Sequence, residues 1–237
     1  MKVVILCGGY GTRLAEETKI RPKPMVKIGN LPILIHLMNY YCSYGHNEFI
    51  LALGYKGNYI KKFFKNYKKK NFHATLIDTG KSSLTGGRLL RLKKYLINEK
   101  SFMVTYGDGL SNINLNKLKK FHQKHKKIAT LSAVRPPARF GELFLKKKGV
   151  VSQFKEKPQT SENWINGGFF LFNNNIFDYL KNDKTILERD PFQKLSKKKE
   201  LRAFKHYGFW QCMDTLRDKI LLNQIWKSKK IPWIKKI

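Results

Sequence analysis

A chain of 237 residues, 42% of them hydrophobic, is long enough to bury a proper core and fits one α/β domain. No apolar run reaches bilayer length, Met1-Lys2 and five apolar residues are too short for a signal-peptide core, and the isolated Cys7, Cys42 and Cys212 make neither a disulfide framework nor a zinc site, so a reducing cytoplasm is expected. The net charge of +32 rests mainly on lysine, since only nine of the 48 basic residues are arginine, and clusters such as Lys146-Lys147-Lys148 read as solvated surface in a lysine-biased composition; no specific nucleic-acid partner is expected.

In chain order, Val3 to Cys7 is a short buried strand that stops at Gly8 and Gly9. Pro32 to Tyr44 reads as a helix entered at its proline, Glu48 to Leu53 as a strand ending at Gly54, and Asn58 to Tyr67 as a helix with Ile60, Phe63 and Phe64 on one face. Ala74 to Ile77 is strand-like, and Thr85-Gly86-Gly87 opens a helix carrying Leu89, Leu92 and Leu96, which read as core. Phe102 to Tyr106 is a strand running into Gly107-Asp108-Gly109; Leu115 to His125 is a helix and Ala129 to Val134 a strand. This alternation predicts a Rossmann-like, mostly parallel mixed sheet with helices on both faces and ligands at the carboxyl ends of its strands.

The second half changes style. Leu143 to Leu145, Val150 to Phe154 and Gly168 to Phe172 are strands of an antiparallel or mixed extension. Asn174 to Leu180 reads as a helix capped by an asparagine and Phe192 to Lys198 as another helix. Leu201 to Lys205 is a strand, and Thr215 to Trp226 a final helix. The expected organisation is a single domain, with a main part over about residues 1–135 and a small appended lobe over about 136–237, leaving between them a cleft of the kind that takes a second substrate. His122 and His125 lack a carboxylate that would complete a metal site and read as a solvated helix face. Trp226 to Ile237 reads as a strap packed on the lobe.

The residues with chemistry begin at Gly8-Gly9-Tyr10-Gly11-Thr12-Arg13. Three glycines in four positions let a backbone approach an anion closely, and Arg13 adds a fork suited to phosphate. The spacing is neither a P-loop nor G-x-G-x-x-G. Lys23 is braced between Pro22 and Pro24, and the three features together point to a nucleoside triphosphate. Asp108, flanked by glycines after a strand, and Asp214, before the last helix, suit a Mg²⁺ ion completed by phosphates. On spacing alone the stronger readings are a turn residue for Asp108 and a helix cap beside Thr215 for Asp214.

These residues resemble the sugar-1-phosphate nucleotidyltransferases, in particular the bacterial glucose-1-phosphate cytidylyltransferases. The resemblance runs in order through Gly8 to Leu14, Glu16 to Thr18, Pro22 to Met25, Gly54 to Gly57, Asp78 to Gly80, Ser83 to Arg88 and Thr105 to Gly109. It continues through Pro136 to Gly141, Glu156 to Pro158, Ile165 to Phe170 and Gly208 to Asp218. The Ser83 to Arg88 and Phe209 to Asp218 segments carry the cytidylyl character. The resemblance implies in-line transfer of a cytidylyl group from CTP to glucose 1-phosphate, giving CDP-glucose and pyrophosphate. The nucleotide and sugar contacts it implies are Leu6, Cys7, Gly8, Gly9, Tyr10, Gly11, Thr12, Arg13, Lys23, Ser83, Arg88, Thr105, Lys157, Asn166, Gly167 and Glu188. Arg13, Lys23 and Asp108 would be catalytic, and Asp108 and Asp214 would hold Mg²⁺. Ser83 and Arg88 would recognise the cytosine, Lys157 would pair with the sugar's phosphate, and Asn166, Gly167 and Glu188 would face the hexose.

A homo-oligomer is also implied. The segment Lys68 to His73 is shorter than in relatives, which bears on oligomeric state, and Cys7 and Cys212 stand where relatives carry other residues. Thymidylyl or guanylyl transfer, or a nonenzymatic polyanion-binding role, are the competing readings.

Overall fold

Alternation in the strands explains the architecture. The computed structural model describes residues 1–68, 71–136, 141–156 and 164–235. Strand β1 (Val3–Leu6) is buried on both sides, with Val3 and Ile5 in one apolar cluster and Val4 and Leu6 in another. A strand sandwiched in this way must lie inside a sheet covered by helices on both faces.

The remaining elements follow in order. After α1 (Ala15–Thr18), β2 (Lys27–Ile28) and β3 (Leu31–Pro32) make a small hairpin. Then come α2 (Ile33–Cys42), β4 (Glu48–Leu53), α3 (Gly57–Asn66) and β5 (His73–Asp78). The helix expected from Thr85 is broken at Leu92 into α4 (Thr85–Arg91) and α5 (Lys93–Leu96). Next are β6 (Ser101–Tyr106), β7 (Gly109–Ser111), α6 (Leu115–His125) and β8 (Ala129–Val134). A free-standing hairpin of β9 (Glu142–Leu145) and β10 (Val151–Lys155) precedes β11 (Ile165–Asn173). The chain then forms α7 (Asp190–Lys197), β12 (Leu201–His206), β13 (Trp210–Cys212) and α8 (Leu216–Lys227).

Seven strands form the central sheet in the order β12-β8-β11-β6-β1-β4-β5. All neighbours are parallel except β11, which runs antiparallel to both β6 and β8. Residues of α2, α3, α6 and α8 join the cluster on one face, and residues of α4, α5 and α7 the cluster on the other. The fold is thus a mixed α/β sheet, mostly parallel, with helices on both faces. Gly168 to Phe172 is not a peripheral strand but sits inside that sheet, because Phe169 and Leu171 complete one core and Phe170 and Phe172 the other.

Four local expectations change. Asn174–Tyr179 is a 3-10 helix, and Asn173 does not cap it with its side chain, which instead meets the ring of His122 and donates to Lys127 O. His122 is buried, not solvated: Nδ1 lies 2.7 Å from Thr130 Oγ1 and Nε2 2.9 Å from Asn173 Oδ1. His125 meets the same threonine at 2.7 Å. The C-terminal strap buries Trp233 against His36 of α2 as well as Phe209, so it is anchored on the N-terminal half too.

Candidate functional site

The parallel strands β1 and β6 lie side by side, with Leu6 opposite Tyr106, so the loops that follow them open at the same sheet edge. Gly11 stands at φ 65°, ψ 34°, the left-handed region where a side chain is strained. A Cβ there would also lie 2.8 Å from Thr18 Cγ2. The Thr18 hydroxyl fixes the turn through Gly11 O at 3.1 Å and Leu14 O at 3.0 Å.

Asp108 and Asp214 are far apart in sequence but meet through the β7–β13 pair, in which Cys212 sits opposite Gly109. Met213 N donates to Asp108 O at 2.9 Å and closes the junction. Thr215, not Asp214, caps α8: it makes a capping box with Asp218. The Asp214 carboxylate is thereby left for another partner. It accepts from Arg13 at 2.8 Å and from the Lys23 ammonium, which also lies 2.6 Å from Asp108 Oδ2. Lys23 is buried, extended into the site by Pro22 and by the 3-10 turn Lys23–Met25. Burial alone would lower its pKa, but the two carboxylates outweigh it and hold the ammonium above its ordinary value. Burial likewise acts to raise Asp214, and Lys23 with Arg13 brings it below the usual carboxylate range.

These groups line a cleft of about 890 Å³ that also contains Leu6, Cys7, Gly8, Gly9, Tyr10, Gly11, Thr12, Ser83, Arg88 and Asn166. Burial, then Asp108, pushes the Cys7 thiol far above its ordinary pKa, so it is no nucleophile. Cys212 is pushed up to about 12, by burial first and by the neighbouring aspartates.

Arg88 is enclosed. Its guanidinium donates to the carbonyls of Leu53, Gly80 and Gly8 at 3.0, 2.7 and 2.8 Å and to the Thr79 hydroxyl at 2.9 Å. A Cβ on Gly8 or Gly54 would lie 2.2–2.3 Å from that guanidinium, which is why both positions lack a side chain. Arg88 therefore ties the glycine loop to the turn after β5. The first turn of α4 is held from the other half of the chain, with the Gly86 and Gly87 amides donating to Thr185 O at 3.0 and 3.1 Å.

Other expected residues lie behind the cleft wall. Thr105 is buried, facing the Tyr41 hydroxyl. Gly167 presents its carbonyl to Trp210 Nε1 at 2.7 Å. Glu188 sits behind Tyr106 and Thr85, accepting from both hydroxyls. Lys157 lies outside the described residues. Tyr106, Thr85 and Trp210 also line the cleft; each falls within a segment that carries the resemblance, although the resemblance gives none of them a role.

Both candidate metal ligands are carboxylates, and they converge on one cation, Lys23. A hard, oxygen-preferring divalent ion completed by phosphate oxygens fits this donor set. Among the described residues no group of three or more His, Cys, Asp or Glu side chains forms a self-sufficient metal centre.

The family model described as Nucleotidyl transferase matches residues 2–215. The chain belongs to the nucleotidyl transferase family. This member is 45% identical to the glucose-1-phosphate cytidylyltransferase of Salmonella typhimurium, over 98% of each chain. That alignment spans 254 positions against 237 residues here, so the relative carries residues this family member lacks. The mannose-1-phosphate guanylyltransferase catalytic subunit beta of Drosophila melanogaster is 31% identical, over 92% of this chain and 60% of its own length. Among solved structures, HddC from Yersinia pseudotuberculosis complexed with GMP-PN superposes with a TM-score of 0.76 at 28% identity, covering 95% of this chain and 99% of that one. No helix among the described residues is long and apolar enough to cross a membrane.

Proposed function

We propose that this nucleotidyltransferase moves the cytidylyl group of CTP onto α-D-glucose 1-phosphate, giving CDP-glucose and pyrophosphate. The observation that carries the reading is the convergence of Arg13, Lys23, Asp108 and Asp214 at one end of a cleft that also holds the glycine loop and Asn166. The likeness to the Salmonella cytidylyltransferase over nearly the whole chain supports the choice of nucleotide and sugar.

A sugar-phosphate oxygen attacks the α-phosphorus of CTP in line, and pyrophosphate leaves. No covalent intermediate is needed, and the chain contributes placement and charge. The loop from Gly8 to Arg13 embraces the triphosphate. Lys23 leaves its carboxylate partners to neutralise charge that grows on the α-phosphoryl oxygens and the leaving group. Asp108 and Asp214 are the residues that would hold Mg²⁺, which when bound supplies charge neutralisation at the triphosphate. Ser83 and the Arg88-braced turn form the cytosine side, and Lys157 pairs with the phosphate of the sugar. Asn166 faces the hexose, with Gly167 and Glu188 supporting that side from behind the cleft wall. The product feeds deoxysugar or surface-polysaccharide synthesis from the cytoplasm, and the enzyme works as a homo-oligomer.

The test is pyrophosphate release with CTP, UTP, dTTP and GTP against glucose, galactose and mannose 1-phosphates, with and without Mg²⁺. CTP with glucose 1-phosphate should give the highest kcat/KM. A higher value for dTTP or GTP would move the enzyme to another branch, and no turnover with any pair would remove the enzymatic reading.

A further inference from the structure

We infer that Tyr106 is a positioning residue that sets which hexose 1-phosphate epimer the cleft accepts, an inference that rests on the function proposed above. Tyr106 ends β6, two residues before Asp108, with its ring edge-on to Phe170 at 5.4 Å between centroids. Its opposite neighbour is Gly168, at φ 78°, where a Cβ would lie 2.5 Å from the ring. The ring therefore packs between two residues of β11.

The hydroxyl is fixed as firmly as the ring. It donates to Glu188 Oε1, and the other carboxylate oxygen accepts from Thr85 Oγ1 at 2.6 Å. Thr85 Oγ1 in turn accepts from Leu187 N at 3.0 Å, so its own proton is directed at Glu188. With its proton committed to Glu188, the oxygen offers lone pairs only. Asn166 Nδ2 donates to it at 3.3 Å, while Asn166 Oδ1 accepts from Gly168 N at 2.9 Å.

The sense of these bonds is fixed at both ends, because the Glu188 carboxylate takes the Tyr106 proton and the Gly168 N–H donates to Asn166 Oδ1. Glu188 accepts only, Tyr106 must donate to it, and the amide of Asn166 must then present nitrogen to Tyr106 and oxygen to Gly168. Asn166 has one N–H and one Oδ1 lone pair left for a ligand, in a fixed sense, and it lines the cleft. A donor and an acceptor held at fixed points discriminate, by distance and angle, between sugar hydroxyls of opposite configuration. An amide anchored only through Gly168 N can shift to meet either. Glu188, behind the wall, acts through Tyr106.

The experiment is Tyr106→Phe, which keeps the ring and deletes only the hydroxyl. KM for glucose 1-phosphate should rise with KM for CTP within about twofold of wild type. The kcat/KM preference for glucose over mannose and galactose 1-phosphates should fall about tenfold, the scale of one hydrogen bond in a site built to read it. A preference within about twofold of wild type, or parallel changes in KM for both substrates, would overturn the inference. Glu188→Gln provides a second variant. It replaces an obligate acceptor with an amide that can also donate, so the Tyr106 proton is no longer committed away from Asn166, and it should lose the same preference. Calorimetric Kd ratios for the three sugar phosphates give the same reading without turnover. A wild type that prefers another nucleotide counts against the proposed function alone, because the epimer ratio is then read with that nucleotide.

Discussion

Lys23 Nζ lies 2.6 Å from Asp108 Oδ2 while also hydrogen-bonding Asp214, so one ammonium occupies the space between the two carboxylates. Removing it leaves two partly buried negative charges facing each other with Arg13 as the remaining neutraliser of Asp214. Lys23→Gln should therefore lower the thermal midpoint of the ligand-free protein. It should also bind Mn²⁺ more tightly than wild type when no nucleotide is present, because the cation no longer competes with the lysine. Titration of ligand-free protein by Mn²⁺ paramagnetic resonance checks this, and unchanged or weaker affinity in Lys23→Gln would refute the competition.

In turnover the two lysines should separate. Lys23→Ala should cut kcat on the order of a hundredfold or more, since charge neutralisation at the reacting phosphoryl group is realised in the transition state. Lys157→Ala should act chiefly on KM for the sugar phosphate. Steady-state kinetics with each substrate varied in turn distinguishes them, and identical effects of the two changes on both substrates would defeat this division of roles.

Asp108→Asn and Asp214→Asn keep size and remove charge. Each should slow turnover on the order of a hundredfold, and the double variant should be far less than additive because both carboxylates serve one cation. Full activity in Asp214→Asn would leave that residue as a partner of Lys23 and Arg13 only.

Acid should destabilise the fold through its histidines. Burial lowers the pKa of His36, His122, His125 and His206, and it pushes His46 down to about 4 with Lys119 and the N-terminal ammonium adding to the effect. A lowered histidine is neutral in the folded state and takes its proton in the unfolded chain first. Stability from these groups is thus complete above about pH 6.5 and is lost as pH falls through the lowered values, down to about 4 for His46. Urea midpoints measured from pH 8 to 4.5 should fall most steeply below 6.5. His122→Asn should flatten that fall, and an equal slope in the variant would locate the acid sensitivity elsewhere.

The +32 charge should produce only weak, sequence-independent RNA binding that disappears steeply with salt, as for counterion release from scattered lysines. Filter binding at near-physiological salt, with and without CTP, is the check. Tight, sequence-selective binding displaced by CTP would make nucleic acid a ligand of this cleft.

Much of the fold was legible because its strands and helices carry their own periodicity. Leu115 to His125 and Ala129 to Val134 have the predicted limits, since an asparagine cap opens the first and unbroken apolar alternation marks the second. Glycines and the Pro22-Lys23-Pro24 brace likewise marked the cleft, being forced by local backbone geometry. What escaped was pairing at a distance. Nothing near Asn166 announces that Tyr106 holds its amide, and His122 looks solvated until Thr130 and Asn173 close over it. The β7–β13 pair is only three residues long on each side, below the length at which strand periodicity can be read.

The antiparallel β11 fixes an order of events during synthesis. Strands β1, β4, β5 and β6 are all free to pair among themselves once residue 106 has emerged from the ribosome, but one edge of β6 has no partner until residues 165–173 emerge. Strand β8 appears earlier yet joins the sheet only through β11 and β12. For that interval the nascent chain displays an open apolar edge formed by Phe102, Met103 and Val104, a template for pairing with a neighbouring chain. Polysomes making this protein are where a chaperone would be most needed, and a ribosomal pause between residues 106 and 165 would lengthen the exposure.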